Sequence, residues 1–208
     1  MNAARWLRLL AVVSMPLWLV ACGAAEKTWA PDAAVQAATY KFDGPPTLTL
    51  YTAINNNTGA GEHSGLMINA DQRVLFDPAG SWTHSKVPER NDVHYGISTG
   101  VEHWYVNYHA RPAYHVVRQE LVVTPAVAAE AKRLAEAHGA TPKAMCARAV
   151  SSVLSQLPGF ERIGRTYFPK TLMQEFGEMP GVVTTYFYDD DEDNSNPLRQ
   201  QDHPDPIR

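Results

Sequence analysis

The chain has 208 residues, 45% of them hydrophobic and 10% aromatic, which suits one folded domain with a substantial core. Its formal charge is −4, and the acids are unevenly placed: seven of the 22 lie between Asp189 and Arg208, against two arginines. The rest of the chain is close to neutral and carries no basic footprint, so a nucleic-acid partner is not expected.

Arg5 and Arg8 form a short basic region, Leu9 to Val20 is apolar apart from Ser14 and Pro16, and Leu19-Val-Ala-Cys22-Gly follows directly. The run is too short for a dedicated membrane-spanning helix and suits an export signal over residues 1–21. Leu-Val-Ala-Cys resembles the bacterial lipobox, which implies cleavage before Cys22, lipid on its sulfur and amine, and a lipoprotein anchored to a membrane. Gly23, rather than an aspartate, resembles the pattern sorted to an outer membrane, with the protein facing the periplasm. With Cys22 acylated, Cys146 has no intramolecular partner in a compartment that oxidises thiols. A lone thiol there is either buried or useful.

Residues 22–46 contain Ala, Pro and charges without a sustained period and read as a tether. Globular structure is expected over 47–188, opening with the strand Thr47–Ile54 and a loop at Asn55–Gly61. Gly59 and Gly61 in that loop fit a flexible turn, or close backbone approach by a substrate. His63–Asn69 and Gln72–Asp77 lie so close that they form a hairpin, which sets His63 across from Asp77 or its neighbour. One residue of turn length decides which face Asp77 shares. A polar connection with His84, a short extended piece at Val93–Ile97, and a helix capped by Thr99 and Glu102 come next. Tyr114–Val123 reads as a strand, and Thr124-Pro125 to Gly139 as a helix. Pro169–Phe176 is a short helix and Gly181–Tyr188 a closing strand, so the order is α+β: an antiparallel sheet with helices packed on it. The tail at 189–208, acidic and proline-containing, is expected to be disordered.

The stretch Thr141–Leu157 reads as a helix with Thr141 as cap and Pro142 in its first turn. Cys146, Ala149, Val150, Val153, Leu154 and Leu157 make its inward stripe. Cys146 is then a buried core residue, or a nucleophile whose thiolate is favoured by the positive end of the helix.

A strand beginning with His63, a polar position at Asp77 on the next strand, and a later Cys146 on a helix start followed by Val150 and Leu154 resemble the circularly permuted branch of the NlpC-type, papain-like cysteine hydrolases. In that branch the histidine precedes the cysteine, as here. The resemblance, over roughly residues 48–188, implies a permuted papain-like architecture and a triad of Cys146, His63 and a third polar residue, Asp77 or His84. It implies amidase, peptidase or acyltransferase chemistry on cell-wall peptides, acyl esters or thioesters, or proteins of the envelope. The imidazole takes the thiol proton, the third group orients the ring, and the carbonyl oxygen rests on the amide of Cys146 and one further donor. The chemistry asks for no cofactor. His94, His103, His109 and His115 lack metal-ligand spacing, so no metal is expected. The alternative function is a non-catalytic envelope lipoprotein that binds a partner, with Cys146 packed in its core.

Overall fold

β1 (Thr47–Asn55) is buried from Thr47 through Ile54, its threonines as deeply as its leucines, because helices cover both sides of the sheet around it. It pairs with β2 (Gly61–Asn69) on one side and β6 (Tyr114–Val122) on the other. Beyond β2 come β3 (Arg73–Phe76), β5 (Val93–Tyr95) and the two-residue β4 (Glu89–Arg90); beyond β6 comes β7 (Val183–Phe187). The order is β4-β5-β3-β2-β1-β6-β7, with every pairing antiparallel. The computed structural model describes residues 25–189, so the expected export signal, Cys22 and the acidic tail from residue 190 onward lie outside the described residues.

Period-two alternation sends Leu48, Leu50, Leu66, Ile68, Val74 and Phe76 to one face of the sheet. There they pack under α3 (Pro125–His138), α4 (Cys146–Leu154) and α5 (Pro169–Gly177). Tyr51, Met67 and Leu75 point to the other face, against Trp82 and Trp104, Tyr105 and Val106 of α2 (Thr99–His109). The architecture is α+β. On this second face Glu102 bonds Arg73 at 2.5 Å, Arg118 at 3.0 Å and Tyr51 at 2.5 Å, so the nearly sealed guanidinium of Arg73 is paired.

Three local expectations are corrected. The helix expected from Thr141 starts at Cys146: Ala144 sits in the left-handed region (φ 64°) and breaks the turn, while the Thr141 amide is taken by Asp92 Oδ2 at 2.7 Å. The cap of α2 is Ser98, whose Oγ accepts from the Val101 amide, and Glu102 serves the ion network instead of a capping box. Residues 28–46 are no free tether. Trp29 stacks under Arg90, Phe42 under Arg73, the Tyr40 carbonyl accepts from the Arg73 amide, and α1 (Asp32–Ala37) ion-pairs with Arg90 through Asp32. Two arginines with aromatic partners, together with backbone hydrogen bonds, lay the segment against the sheet.

Candidate active site

In the β2–β3 hairpin Leu66 faces Phe76 and Asn69 faces Arg73. Continued by one residue, that register sets Asp77 opposite Gly65, on the same face as His63. His63 Nε2 donates to Asp77 Oδ1 at 2.6 Å, and the phenol of Tyr105 donates to the same oxygen at 2.8 Å. Gly65 leaves room for this: a Cβ there would stand 2.2 Å from the Tyr105 hydroxyl. Gly80 closes over the carboxylate in the same way, its Cβ position lying 1.9 Å from Asp77 Oδ2.

Cys146 arrives from the other layer. It is the first residue of α4 and only 6% exposed, and it sits close enough to the His63 side chain for the hydrogen bond and charge of that ring to act on its thiol. With Nε2 committed to Asp77, Nδ1 is the ring nitrogen left for the thiol. β3 stops opposite Leu66, so Ser64 has no β3 partner, and its amide is directed to the sulfur together with the Ala147 amide of the helix start.

The electrostatics follow from this packing. Burial alone lowers an imidazole's affinity for protons, yet the charge and hydrogen bond of Asp77, with Cys146 behind them, carry His63 up to about 10. Burial raises a carboxyl, but His63, and then His109 and His94, hold Asp77 well below the usual carboxylate range. Burial likewise pushes the Cys146 thiol up, and the hydrogen bond and charge of His63 with the Ser64 and Ala147 amides overcome it and bring the thiol below its ordinary value. The arrangement favours thiolate and imidazolium side by side, with a buried carboxylate behind the ring.

No family model, curated protein or solved structure matches the chain. The site is therefore read from its own residues.

Cys146, His63 and Asp77, singled out from the sequence, are brought together. His84 is not the residue that holds His63: its ring stacks on Trp104 at 4.5 Å, and its Nδ1 accepts from the Lys86 amide. Gly61 is in close contact with α5, where a Cβ would stand 2.5 Å from the Lys170 amide, and Gly59 (φ 66°) turns the loop, so the turn reading fits. Two neighbours were missed. Tyr105 had no place in the triad reading, and His109 was weighed only as a scattered metal ligand. They are four apart on the buried side of α2, a spacing that puts two polar tips over one spot.

His109 stacks on His63 with ring centroids 5.2 Å apart, and its Nδ1 donates to the Tyr105 carbonyl at 2.9 Å. Burial and the charge on His63 lower it to about 4, so it stands as a neutral ring beside a charged one. Ligand atoms of His63, Asp77 and His109 lie within 4.8 Å of one another, close enough to hold a metal ion, but a metal there would compete with the His63–Asp77 bond. Two cavities adjoin the site across the segment Ala79–Ser81. One of about 550 Å³ lies behind Asp77, bordered by Trp82, Asp92, His94 and Lys143. The other, about 220 Å³, opens in front of His63 between His109, Arg111, Tyr108 and Tyr114.

Proposed function

We propose that the chain is a cysteine hydrolase or acyltransferase of the cell envelope, with Cys146 as nucleophile, His63 as acid and base, and Asp77 as the group that orients and charges the imidazole. The observation that carries the reading is the single His63 ring, bonded to Asp77 at 2.6 Å and coupled electrostatically to the Cys146 thiol.

The thiolate adds to the carbonyl carbon of an amide or ester, and the bond to the leaving nitrogen or oxygen breaks as that atom takes the proton from His63. Water, or an acceptor alcohol or amine, then attacks the thioester and gives its proton to His63, and the carbon–sulfur bond breaks to restore the pair. The Cys146 amide, at the positive end of α4, is our candidate for holding the oxyanion. Histidine before cysteine along the chain, on an antiparallel sheet with helices on both faces, supports the permuted papain-like architecture. The lipobox-like Leu19-Val-Ala-Cys22 supports a lipid-anchored outer-membrane protein facing the periplasm, where cell-wall peptides and acyl groups are the available substrates. Replacing Cys22 by Ser releases the protein from the membrane fraction; equal fatty-acid labelling of both forms would exclude the anchor.

The competing account, a binding lipoprotein with Cys146 as core filler, is favoured by the burial of the sulfur. Titrating the alkylation rate of Cys146 against pH in the wild type and in His63→Ala separates the two. The hydrolase requires rapid alkylation well below neutrality, lost in the variant. A thiol that reacts only above about pH 8 in both proteins is an ordinary cysteine and overturns the reading.

A further inference from the structure

Arg111 occupies the connection between α2 and β6, where its amide donates to the Tyr114 carbonyl at 2.9 Å and the Tyr114 amide returns a bond at 2.8 Å. This reciprocal pair of hydrogen bonds fixes the backbone, and the guanidinium lies over the Tyr114 ring, 5.0 Å from its centroid. Held in that way, the side chain faces the 220 Å³ cavity that His63 and His109 also line. Among the described residues the guanidinium makes no ion pair or hydrogen bond, and its Nε is buried without an acceptor. Glu62, the only carboxylate on the cavity wall among the described residues, forms no ion pair with it. A positioned, unpaired planar fork is suited to accept a carboxylate bidentately.

The cavity is lined by His63 and not by Cys146, so it borders the ring that, in the reading above, protonates the departing atom. Its volume is below the roughly 300 Å³ at which drug-sized pockets begin, so it takes a group of about one amino-acid residue. We propose that Arg111 recognises a carboxylate on the leaving group, so that the preferred substrate is an amide whose released amine is a free amino acid. This rests on the hydrolase reading above. The cleaved bond is the carbonyl carbon–nitrogen bond; nitrogen leaves with the electron pair, takes the His63 proton, and carries away the carboxylate that Arg111 held. Arg111 is a specificity residue, and the acylation chemistry does not require it.

The test uses N-chloroacetyl-alanine and its carboxamide, two electrophiles that differ only in the terminal charge, with alkylation read at the Cys146 peptide of the full chain by mass spectrometry. The acid reacts at least about tenfold faster than the carboxamide in the wild type, as expected for a charge-assisted hydrogen bond. Arg111→Gln brings the two rates together by slowing the acid, and continued alkylation of Cys146 by the carboxamide near neutral pH shows that the thiol is still activated; Arg111→Lys, with charge but no fork, retains part of the preference. An acid-to-carboxamide ratio that is the same in wild type and Arg111→Gln overturns the proposal and leaves the hydrolase reading standing. Preference for the corresponding phosphonate over the acid overturns the carboxylate assignment. A Cys146 that reacts with neither probe near neutral pH removes the hydrolase reading and this proposal together.

Discussion

The phenol of Tyr105 donates at 2.8 Å to the same Asp77 oxygen that holds His63. Burial first, and the neighbouring Asp77 charge second, keep the phenol protonated far above its usual range, so it remains a donor wherever Asp77 is ionised. Tyr105 thereby fixes the carboxylate that fixes the ring. Tyr105→Phe removes one bond to a buried charged group and should cost about 1.5–3 kcal/mol of stability in denaturant unfolding. The pH profile of Cys146 alkylation should broaden in the same variant, because the imidazole is less firmly oriented.

On the hydrolase reading proposed above, nucleophile and base act as one unit, so their substitutions should not add. Cys146→Ala and His63→Ala each abolish the hydrolytic activity, and the double variant loses little more. Asp77→Asn costs less than either, since an amide still orients the ring although it cannot balance its charge. Activity measured on the three single variants and the double variant checks the ranking; full additivity would separate Cys146 from His63.

The ion pair also gives stability a pH window. His63 is raised in the folded state to about 10, so its contribution is complete below the unfolded value of 6.5 and is lost as the pH climbs through 10. Asp77 is depressed, so its contribution is present above 3.8 and is lost only as the pH falls to its lower folded value. Cys146, also depressed, gains in the alkaline range and partly masks the loss from His63. In Cys146→Ser the melting temperature should therefore fall between pH 7 and pH 10 more steeply than in the wild type. Adding Asp77→Asn should flatten that fall.

Much of this arrangement was legible because it is local. The helix of Pro125–His138 was found from a capping threonine, which does accept from the Val127 amide, and a terminal glycine, which does adopt φ 79°. The β2–β3 hairpin followed from two apolar runs separated by two residues, and with it the nearness of His63 and Asp77. Which face Asp77 shares depended on one residue of turn, and that came only from the register. Tyr105 and His109 stayed hidden for a different reason. Their roles depend on α2 crossing the hairpin, a contact between segments far apart in sequence that no periodicity records. The packing of residues 28–46 was missed because cation–π contacts to Arg73 and Arg90 leave no repeating pattern in the sequence.

Gly65 should be a sensitive small residue near the site. Gly65→Ala places a methyl group against the Tyr105 hydroxyl and within 3.3 Å of Asp77 Oδ1, so one of the two must move. Overpacking of this kind costs about 1–3 kcal/mol, and slower Cys146 alkylation near neutral pH should accompany the loss of stability. An alkylation profile that matches the wild type would show that Tyr105 can shift without disturbing His63.

Cys146 rides on the helical layer packed against one face of the sheet, whereas His63, Asp77 and Tyr105 belong to the opposite face. The two groups meet only around the bare end of β2, past the point where β3 stops. A polypeptide whose hairpin has closed but whose α4 has not docked holds an oriented imidazole and an inert thiol. On the hydrolase reading, nucleophile and base are thus supplied by different layers, so the thiol is activated only where the helical layer and the sheet are packed together.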